Sequence, residues 1–184
     1  MWKSKAFASI VQAKTIRSKG VVPAALAAAL TGPLAYSMLE RWEGNVLRVY
    51  HDNLADIPTW CAGQTQGSKP GPVGTALTSD FCANVNKTIL LEYGYSVLEC
   101  ANWDHLSPNR LVALTIFAIN VGKDGACKSQ AMVNINRGRI VEGCTLIAYK
   151  PTGAPNWSLA DGKYVQGLHN RRKAEMTLCM KGLT

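Results

Sequence analysis

Two carboxylates and a hydroxyl lie within one short stretch of this 184-residue chain. Glu43 is followed nine residues later by Asp52, and Thr59 comes seven residues after Asp52. Breaking a glycosidic bond requires a protonated acid at the leaving oxygen and, on the other face of the sugar, a nucleophile or a base that holds water. Glu43 is therefore a candidate acid and Asp52 a candidate base, while the Thr59 hydroxyl can both donate to and accept from a water molecule.

The surroundings of the two carboxylates differ in polarity. Glu43 lies among Trp42, Val46 and Leu47, and apolar surroundings favour the protonated form of a carboxyl group. Asp52 lies in a polar region, where a carboxylate is expected to stay ionised. Two carboxylates nine residues apart occur by chance in most proteins, so this spacing alone also fits ordinary surface charges.

The predicted local structure places these residues on two different elements. Apolar residues at helical spacing predict a short helix from about Leu39 to Val49. The stretch from Tyr50 to Gly74 is rich in Gly, Pro, Asp and Thr, which predicts a small β-hairpin region with loops. Glu43 would then lie on the helix, and Asp52 and Thr59 on the hairpin. A cleft between the two elements is the expected place for a polymer.

Helix signals dominate the rest of the chain. Thr78 or Ser79 caps a predicted helix that continues to about Tyr93. Ser107-Pro108 opens an apolar helix, Leu111 to Val121, which should be the central buried one. Further helices are expected at about 129 to 137, 139 to 149 and 165 to 180. The predicted fold class is therefore α+β and mainly α, with a helical body and a small β-hairpin subdomain.

An uncharged run of twenty residues, Gly20 to Leu39, precedes the candidate acid. As a helix it would extend about 30 Å, just enough to cross a bilayer core. Six of its twenty residues are alanine and two are proline, so its residence in a membrane would be marginal. The basic residues upstream predict a cytoplasmic N-terminus and an exported body. They are Lys3, Lys5, Lys14, Arg17 and Lys19.

The chain accordingly divides into a basic cytoplasmic region at 1–19, a weakly hydrophobic membrane segment at 20–39 and a folded domain at 40–184. Two alternatives for the segment stay open. One is a cleavable signal peptide, because Ala35-Tyr36-Ser37 offers small residues at a suitable spacing. The other is a buried core helix in a cytosolic protein.

The formal net charge of +8 is uneven, because +5 falls within the first 19 residues and the remaining chain carries only +3, from 15 basic and 12 acidic groups. The basic region adjoins an apolar run and no nucleic-acid recognition fold, which argues against a nucleic-acid partner. A mildly basic body would still be attracted to an anionic polymer such as a bacterial cell wall. No cofactor or metal is expected, since His51, His105 and His169 show no metal-binding spacing.

Several short runs follow one another in a characteristic order. They are Glu43-Gly44, Tyr50-His51-Asp52, Thr59 to Thr65, Asn120-Val121-Gly122, and Gly167 to Arg172 with Glu175 and Cys179. In this order they resemble the phage-type lysozymes of glycoside hydrolase family 24, from about residue 39 to the C-terminus. The uncharged segment upstream resembles that of the signal-arrest-release endolysins within this family, which a weak N-terminal membrane helix holds until they are freed.

The resemblance implies a lysozyme-like fold and a muramidase that hydrolyses the β-1,4 bond between N-acetylmuramic acid and N-acetylglucosamine in bacterial peptidoglycan, causing host lysis. It implies Glu43 as the general acid, with Asp52 and Thr59 managing the attacking water. The implied partners are peptidoglycan glycan strands and, through residues 20–39, the host inner membrane. The protein would act as a monomer after release to the periplasm.

Two positions depart from the family pattern. The family usually places its threonine six residues after the aspartate, whereas Thr59 is seven residues after Asp52, so the intervening loop carries one extra residue. Gln64 stands where many members have a histidine, so a supporting charge interaction is expected to be absent there.

Two other functions are compatible with these residues. A lytic transglycosylase needs the glutamate but can dispense with a water-activating aspartate. A catalytically inactive wall-binding module with a lysozyme-like fold would need neither carboxylate.

The cysteines are even in number, which favours disulfides in an exported protein. Six cysteines allow fifteen pairings, and we expect three structural bonds. The expected pairs are Cys61–Cys82, Cys100–Cys127 and Cys144–Cys179. Some relatives release a caged cysteine by exchange with a thiol in the membrane segment, but residues 20–39 contain no cysteine.

Two further features bear on the site and its control. Arg171 and Arg172 could bind substrate or could pair with Glu175 or another buried carboxylate. Glu43 follows Leu39 by four residues, at most about 14 Å of extended chain. A tethered domain would therefore hold its cleft against the lipid, so we expect the anchored form to be inactive.

Overall fold

The computed structural model of this protein describes residues 15–16, 20–52, 56–65 and 70–183. Most of the basic region predicted at 1–19 lies outside these ranges. The helices are α1 Ala24–Ala29, α2 Pro33–Glu43, α3 Ser79–Cys100, α4 Pro108–Val121, α5 Lys123–Cys127, α6 Gln130–Asn136, α7 Ile140–Ala148 and α8 Gln166–Met180, with a 3₁₀ turn at Trp103–His105. The strands within the described ranges are β1 Thr15–Ile16, β2 Gly20–Val21, β3 Val46–Asp52, β4 Ile57–Cys61, β5 Leu159–Ala160 and β6 Lys163–Tyr164, which form three antiparallel pairs.

Helix α4 is the centre of the body, as its apolar sequence predicts. The Ser107 hydroxyl accepts a hydrogen bond from the Arg110 backbone N–H at 3.2 Å, Pro108 occupies the first turn, and Gly122 ends the helix with a φ of +83°. Residues 110–118 of α4 are all buried. Helices α1, α2, α3, α5 and α8 pack around it, so the core of the molecule forms on this helix.

The boundary between α2 and the hairpin differs from the prediction. The helix expected from Leu39 to Val49 ends at Glu43, and Val46–Asp52 is a strand. Gly44, with a φ of +75°, adopts a conformation that favours glycine and stops the helix there. Glu43 is thus the last residue of α2, and the hairpin begins almost directly after it.

The other helix predictions are confirmed, with small shifts of their ends except for the C-terminal end of α3. The Thr78 hydroxyl caps α3 by accepting from the Phe81 backbone N–H at 3.1 Å. This helix continues seven residues beyond the expected end at Tyr93, to Cys100. The short helix α5 was not expected, because its sequence Lys-Asp-Gly-Ala-Cys carries no helical periodicity.

The uncharged segment 20–39 contributes to the folded core. It forms β2, α1 and the first part of α2, with a break at Thr31 and Gly32 before Pro33 opens α2. Its buried side chains are Val22, Leu26, Leu30, Ala35, Met38 and Leu39. No helix in the described part of the chain combines the length and the apolar character needed to span a bilayer.

The Leu30 side chain packs closely against α3. Its side chain is fully buried and lies on Gly94, where a methyl group in place of the glycine hydrogen would overlap the leucine side chain. The lack of a side chain at position 94 therefore lets the segment 20–39 approach α3 closely.

The three disulfides are those expected. Cys61–Cys82 joins β4 to α3, Cys100–Cys127 joins the end of α3 to α5, and Cys144–Cys179 joins α7 to α8. The first bond fastens the hairpin to the helical body.

His169 on α8 is a buried histidine with aromatic neighbours. The rings of Tyr149 and Tyr164 lie 5.2 and 6.0 Å from its ring, and its Nδ1 lies 3.4 Å from the Ser158 hydroxyl. Desolvation, and then the charge of Lys173, lower the pKa of His169 below its ordinary value.

We therefore expect His169 to destabilise the fold in acid. In the unfolded chain the imidazole of His169 takes up a proton at the ordinary histidine pKa of about 6.5. In the folded chain its pKa is lower, so the free energy of unfolding falls as the pH drops below about 6.5. Urea unfolding at pH 7.5 and pH 5 should show a smaller acid-induced loss for His169→Gln than for the wild type. His51→Gln is the control, because His51 is exposed and pairs with Asp56, so its replacement should not lessen the acid-induced loss. An unchanged loss in His169→Gln would contradict the expectation.

Candidate active site

Glu43 lies at the C-terminal end of α2, where its side chain is 23% exposed. Its Oε1 lies 2.7 Å from Nη1 of Arg171, a buried residue of α8. This ion pair joins α2 to α8. Arg171 is thus shown to pair with a carboxylate, which was one of the two roles considered for it.

Arg171 is held by two further partners. Its Nη2 donates to the Ile116 carbonyl and its Nε donates to Glu175 Oε1, both at 3.1 Å. Arg172 Nη2 also donates to Glu175 Oε1, at 2.8 Å, and its guanidinium lies 5.0 Å from the Phe117 ring centre. The guanidinium that faces Glu43 therefore has a fixed orientation.

Burial dominates the titration of this cluster. It raises the pKa of Glu175 above its usual range, against the opposing charges of Arg172 and Arg171. Burial also lowers the pKa of Arg172 to about 10, although Glu175 and Glu43 favour its charged form. The cluster thus couples the candidate acid to a second, fully buried carboxylate.

Asp52 and Thr59 lie on the hairpin, as predicted. In the register of β3 and β4, Tyr50 is opposite Thr59 and Asp52 is opposite Ile57. Directly opposed residues, and residues two apart on one strand, share a face of the sheet. Asp52 and Thr59 therefore lie on the same face. The loop expected to carry one extra residue includes positions 53–55, which lie outside the described residues.

The Thr59 side chain is almost fully buried. It is 2% exposed, and its hydroxyl donates to the Ile57 carbonyl at 3.3 Å. A threonine hydroxyl retains acceptor capacity while it donates.

Tyr50 connects the two carboxylates electrostatically. Desolvation raises the pKa of its phenol, and the negative charges of Asp52 and Glu43 raise it further. The charges of both carboxylates thus influence the same phenol. The alternation of strand residues, with Tyr50 two positions before Asp52, is the sequence signal that could have identified it.

A cleft of about 380 Å³ opens beside Glu43. It is lined by Glu43, Ala62, Gly63, Gln64, Thr65, Ile89, Glu92, Tyr93 and Ile119. Asp52 and Thr59 are not among the described residues that line it. The structure therefore places Glu43 in the cleft wall and the other two predicted residues on the adjoining hairpin.

The cleft also contains a second carboxylate. Glu92 forms an ion pair with Lys123, whose ammonium lies 5.1 Å from the Tyr93 ring centre. Gln64, the departure from the family pattern, is neutral and lines the same cleft. The cation beside Glu92 is supplied by α5, a helix that sequence reasoning missed. No cluster of three or more metal-ligating side chains occurs in the described ranges.

Comparison with known proteins gives a consistent result. A model of the phage lysozyme family matches residues 40–175. The SAR-endolysin of Pseudomonas phage phiKMV is 35% identical over 159 residues, which cover 86% of this chain and 89% of that protein.

Solved structures show the same fold. The active form of P1 phage endolysin Lyz superposes with a TM-score of 0.69 at 21% identity, covering 84% of this chain and 87% of that one. An endolysin from Escherichia coli O157:H7 phage FAHEc1 gives a TM-score of 0.66 at 21% identity, covering 82% and 93%. The fold is therefore lysozyme-like, mainly helical with a small two-stranded sheet. Because the family match spans most of the chain and a relative is 35% identical over 86% of it, this chain belongs to the phage lysozyme family.

Proposed function

We propose that Glu43 is the general acid with which this enzyme cleaves the β-1,4 bond between N-acetylmuramic acid and N-acetylglucosamine. As a phage lysozyme, the chain is a peptidoglycan-hydrolysing glycosidase that lyses the host cell wall. The position of Glu43 carries the assignment. It is a partly buried carboxyl group in the wall of the cleft, at a helix end, with its geometry fixed by Arg171.

Asp52 and Thr59 are proposed to manage the attacking water. Glu43 gives its proton to the leaving oxygen, while ionised Asp52 takes a proton from a water that the Thr59 hydroxyl helps to orient. Two observations support this division. Asp52 and Thr59 share a face of the hairpin, and both Asp52 and Glu43 act on Tyr50.

We expect Asp52→Asn to lower the rate of wall hydrolysis by about 100-fold or more, because the amide cannot accept the proton of the water. Clearing of permeabilised cells would be followed by turbidity. Asp56→Asn is the matched control, since Asp56 lies on the same hairpin, is exposed and pairs with His51 at 2.9 Å. If Asp52→Asn cleared cells as fast as Asp56→Asn and the wild type, Asp52 would have no role in the mechanism.

One observation favours a lytic transglycosylase as the second candidate. Glu43 lines the cleft, whereas Asp52 does not line it, and a transglycosylase needs only the glutamate. Analysis of the reaction products separates the two reactions. Reducing muramic acid ends are the expected result and establish hydrolysis, whereas anhydromuramic ends would establish the transglycosylase.

We also propose that residues 20–39 first hold the protein in the host inner membrane, with residues 1–19 in the cytoplasm, and that the protein later leaves the bilayer for the periplasm as a monomer. The similarity to a SAR-endolysin supports this sequence of events. The three disulfides support an oxidising compartment for the folded form.

The membrane form and the folded form exclude each other. Leu26 and Leu30 are buried in the protein core, so the same side chains cannot at that time be buried in lipid. An anchored chain would therefore lack α1, and α2 would lose the first turns that lead to Glu43. On this proposal, release from the bilayer completes both the core and the site.

A further inference from the structure

A cluster of buried charges lies behind Glu43. Two guanidiniums, Arg171 and Arg172, face two carboxylates, Glu43 and Glu175. Glu175 and Arg172 have no exposed side-chain surface, and Arg171 is 4% exposed. Water therefore contributes little to the neutralisation of these charges.

Among the described residues, the charges with the largest influence on Arg172 and Glu175 belong to the cluster itself. Glu175, Arg171 and Glu43 act on Arg172, and Arg172 and Arg171 act on Glu175. Helix α4 contributes the Ile116 carbonyl and the Phe117 ring. Glu142 of α7, which packs against α8, is exposed.

The balance of charge depends on the proton of the acid. When Glu43 and Glu175 are both ionised, two negative charges balance two positive ones. Burial raises the pKa of Glu175 to about 7, so Glu175 is ionised above that pH. When Glu43 then carries the proton that catalysis needs, the Glu175 carboxylate alone faces both guanidiniums. Without Glu175, the two buried cations would have only Glu43 as a partner, and that partner would be kept ionised.

We propose that Glu175 is a positioning residue, whose buried carboxylate shares Arg171 with Glu43 and offsets its charge so that Glu43 can hold a proton beside a guanidinium. The inference rests on the proposed role of Glu43 as the acid. Glu175 acts through Arg171 and does not touch the substrate.

The test is the pH dependence of Glu175→Gln. Activity falls at alkaline pH when the acid loses its proton, and this limb should move to lower pH by about one unit or more in the variant. Titration of the Glu43 carboxyl carbon by NMR should show the same displacement without reference to activity. Glu175→Asp retains the charge and should bring the limb back towards its wild-type position.

Arg172→Met provides a test of opposite sign. It removes one buried cation, leaves Glu175 to offset Arg171 alone, and should move the limb and the Glu43 titration to higher pH. This variant decides the question if Glu175→Gln does not fold. An unchanged Glu43 titration in either folded variant would overturn the proposal.

The positioning role of Glu175 and the role of Glu43 as the acid are tested separately. If Glu43→Gln is inactive but the titration of Glu43 is the same in Glu175→Gln as in the wild type, only the positioning role of Glu175 is wrong. If Glu43→Gln keeps full activity, the role of Glu43 as acid is wrong, whatever the titration shows.

Discussion

Replacing Glu43 with Gln is expected to lower the rate of wall hydrolysis by about 10²- to 10⁴-fold, the range for loss of a general acid. The amide has nearly the shape of the carboxyl group but cannot give a proton to the leaving oxygen. Clearing of permeabilised cells by equal amounts of folded protein would measure the effect. Thermal unfolding should show that the variant keeps its fold.

Glu40→Gln is the matched control for this substitution. Glu40 lies on the same helix, is exposed, and accepts a hydrogen bond from the Asn45 side chain at 2.9 Å. It should leave the rate nearly unchanged. An equal loss of clearing rate in Glu40→Gln and Glu43→Gln would indicate a general effect on α2. Equally slow clearing by the wild type and Glu43→Gln would indicate a wall-binding module without catalytic activity.

The second large effect is expected from Leu30→Ala, which should lower the free energy of unfolding by about 3 kcal/mol. Leu30 is fully buried against Gly94 of α3, and its truncation would leave a cavity there. Urea unfolding of the folded protein would measure the change. In cells, lysis should be delayed, because the released segment would complete the core less favourably.

Leu34→Ala separates the two environments of the segment. It removes the same side chain from residues 20–39, and thus lowers their affinity for lipid similarly, but Leu34 is 38% exposed in the folded protein. We expect it to change the free energy of unfolding by less than about 1 kcal/mol. Equal destabilisation by both substitutions would contradict the role of Leu30 in the core. If both variants lysed cells with the same timing, completion of the core would not limit release.

Local signals in the sequence were sufficient for the elements that begin or end with a cap. Thr78 and Ser107 fixed the starts of α3 and α4 because their hydroxyls accept from backbone N–H groups that the helix leaves unpaired. Residue type and spacing singled out Glu43, Asp52 and Thr59, and the family resemblance gave each of them a role. The disulfide pairing was one of the fifteen that six cysteines allow. The predicted end of α2, at about Val49, lies beyond its actual end at Glu43. Val46 and Leu47 fit a helix by their spacing and a strand by their residue type.

Other features depend on contacts that local patterns do not contain. An apolar run such as 20–39 suits a bilayer and a protein core equally, because both bury the same side chains. Arg171 lies 128 residues after Glu43, and nothing in its immediate sequence selects that partner over Glu175. Tyr50 acquired significance only when the strand register placed it opposite Thr59.

The ion pair between Glu43 and Arg171 has a consequence for the order of synthesis. A ribosome makes the acid early but supplies its guanidinium only when 171 of the 184 residues have been polymerised. Prematurely terminated products would carry Glu43 without its partner. Products that end before residue 171 would also lack most of α8, which packs against α4 and α7, so we expect them to complete neither the core nor the site.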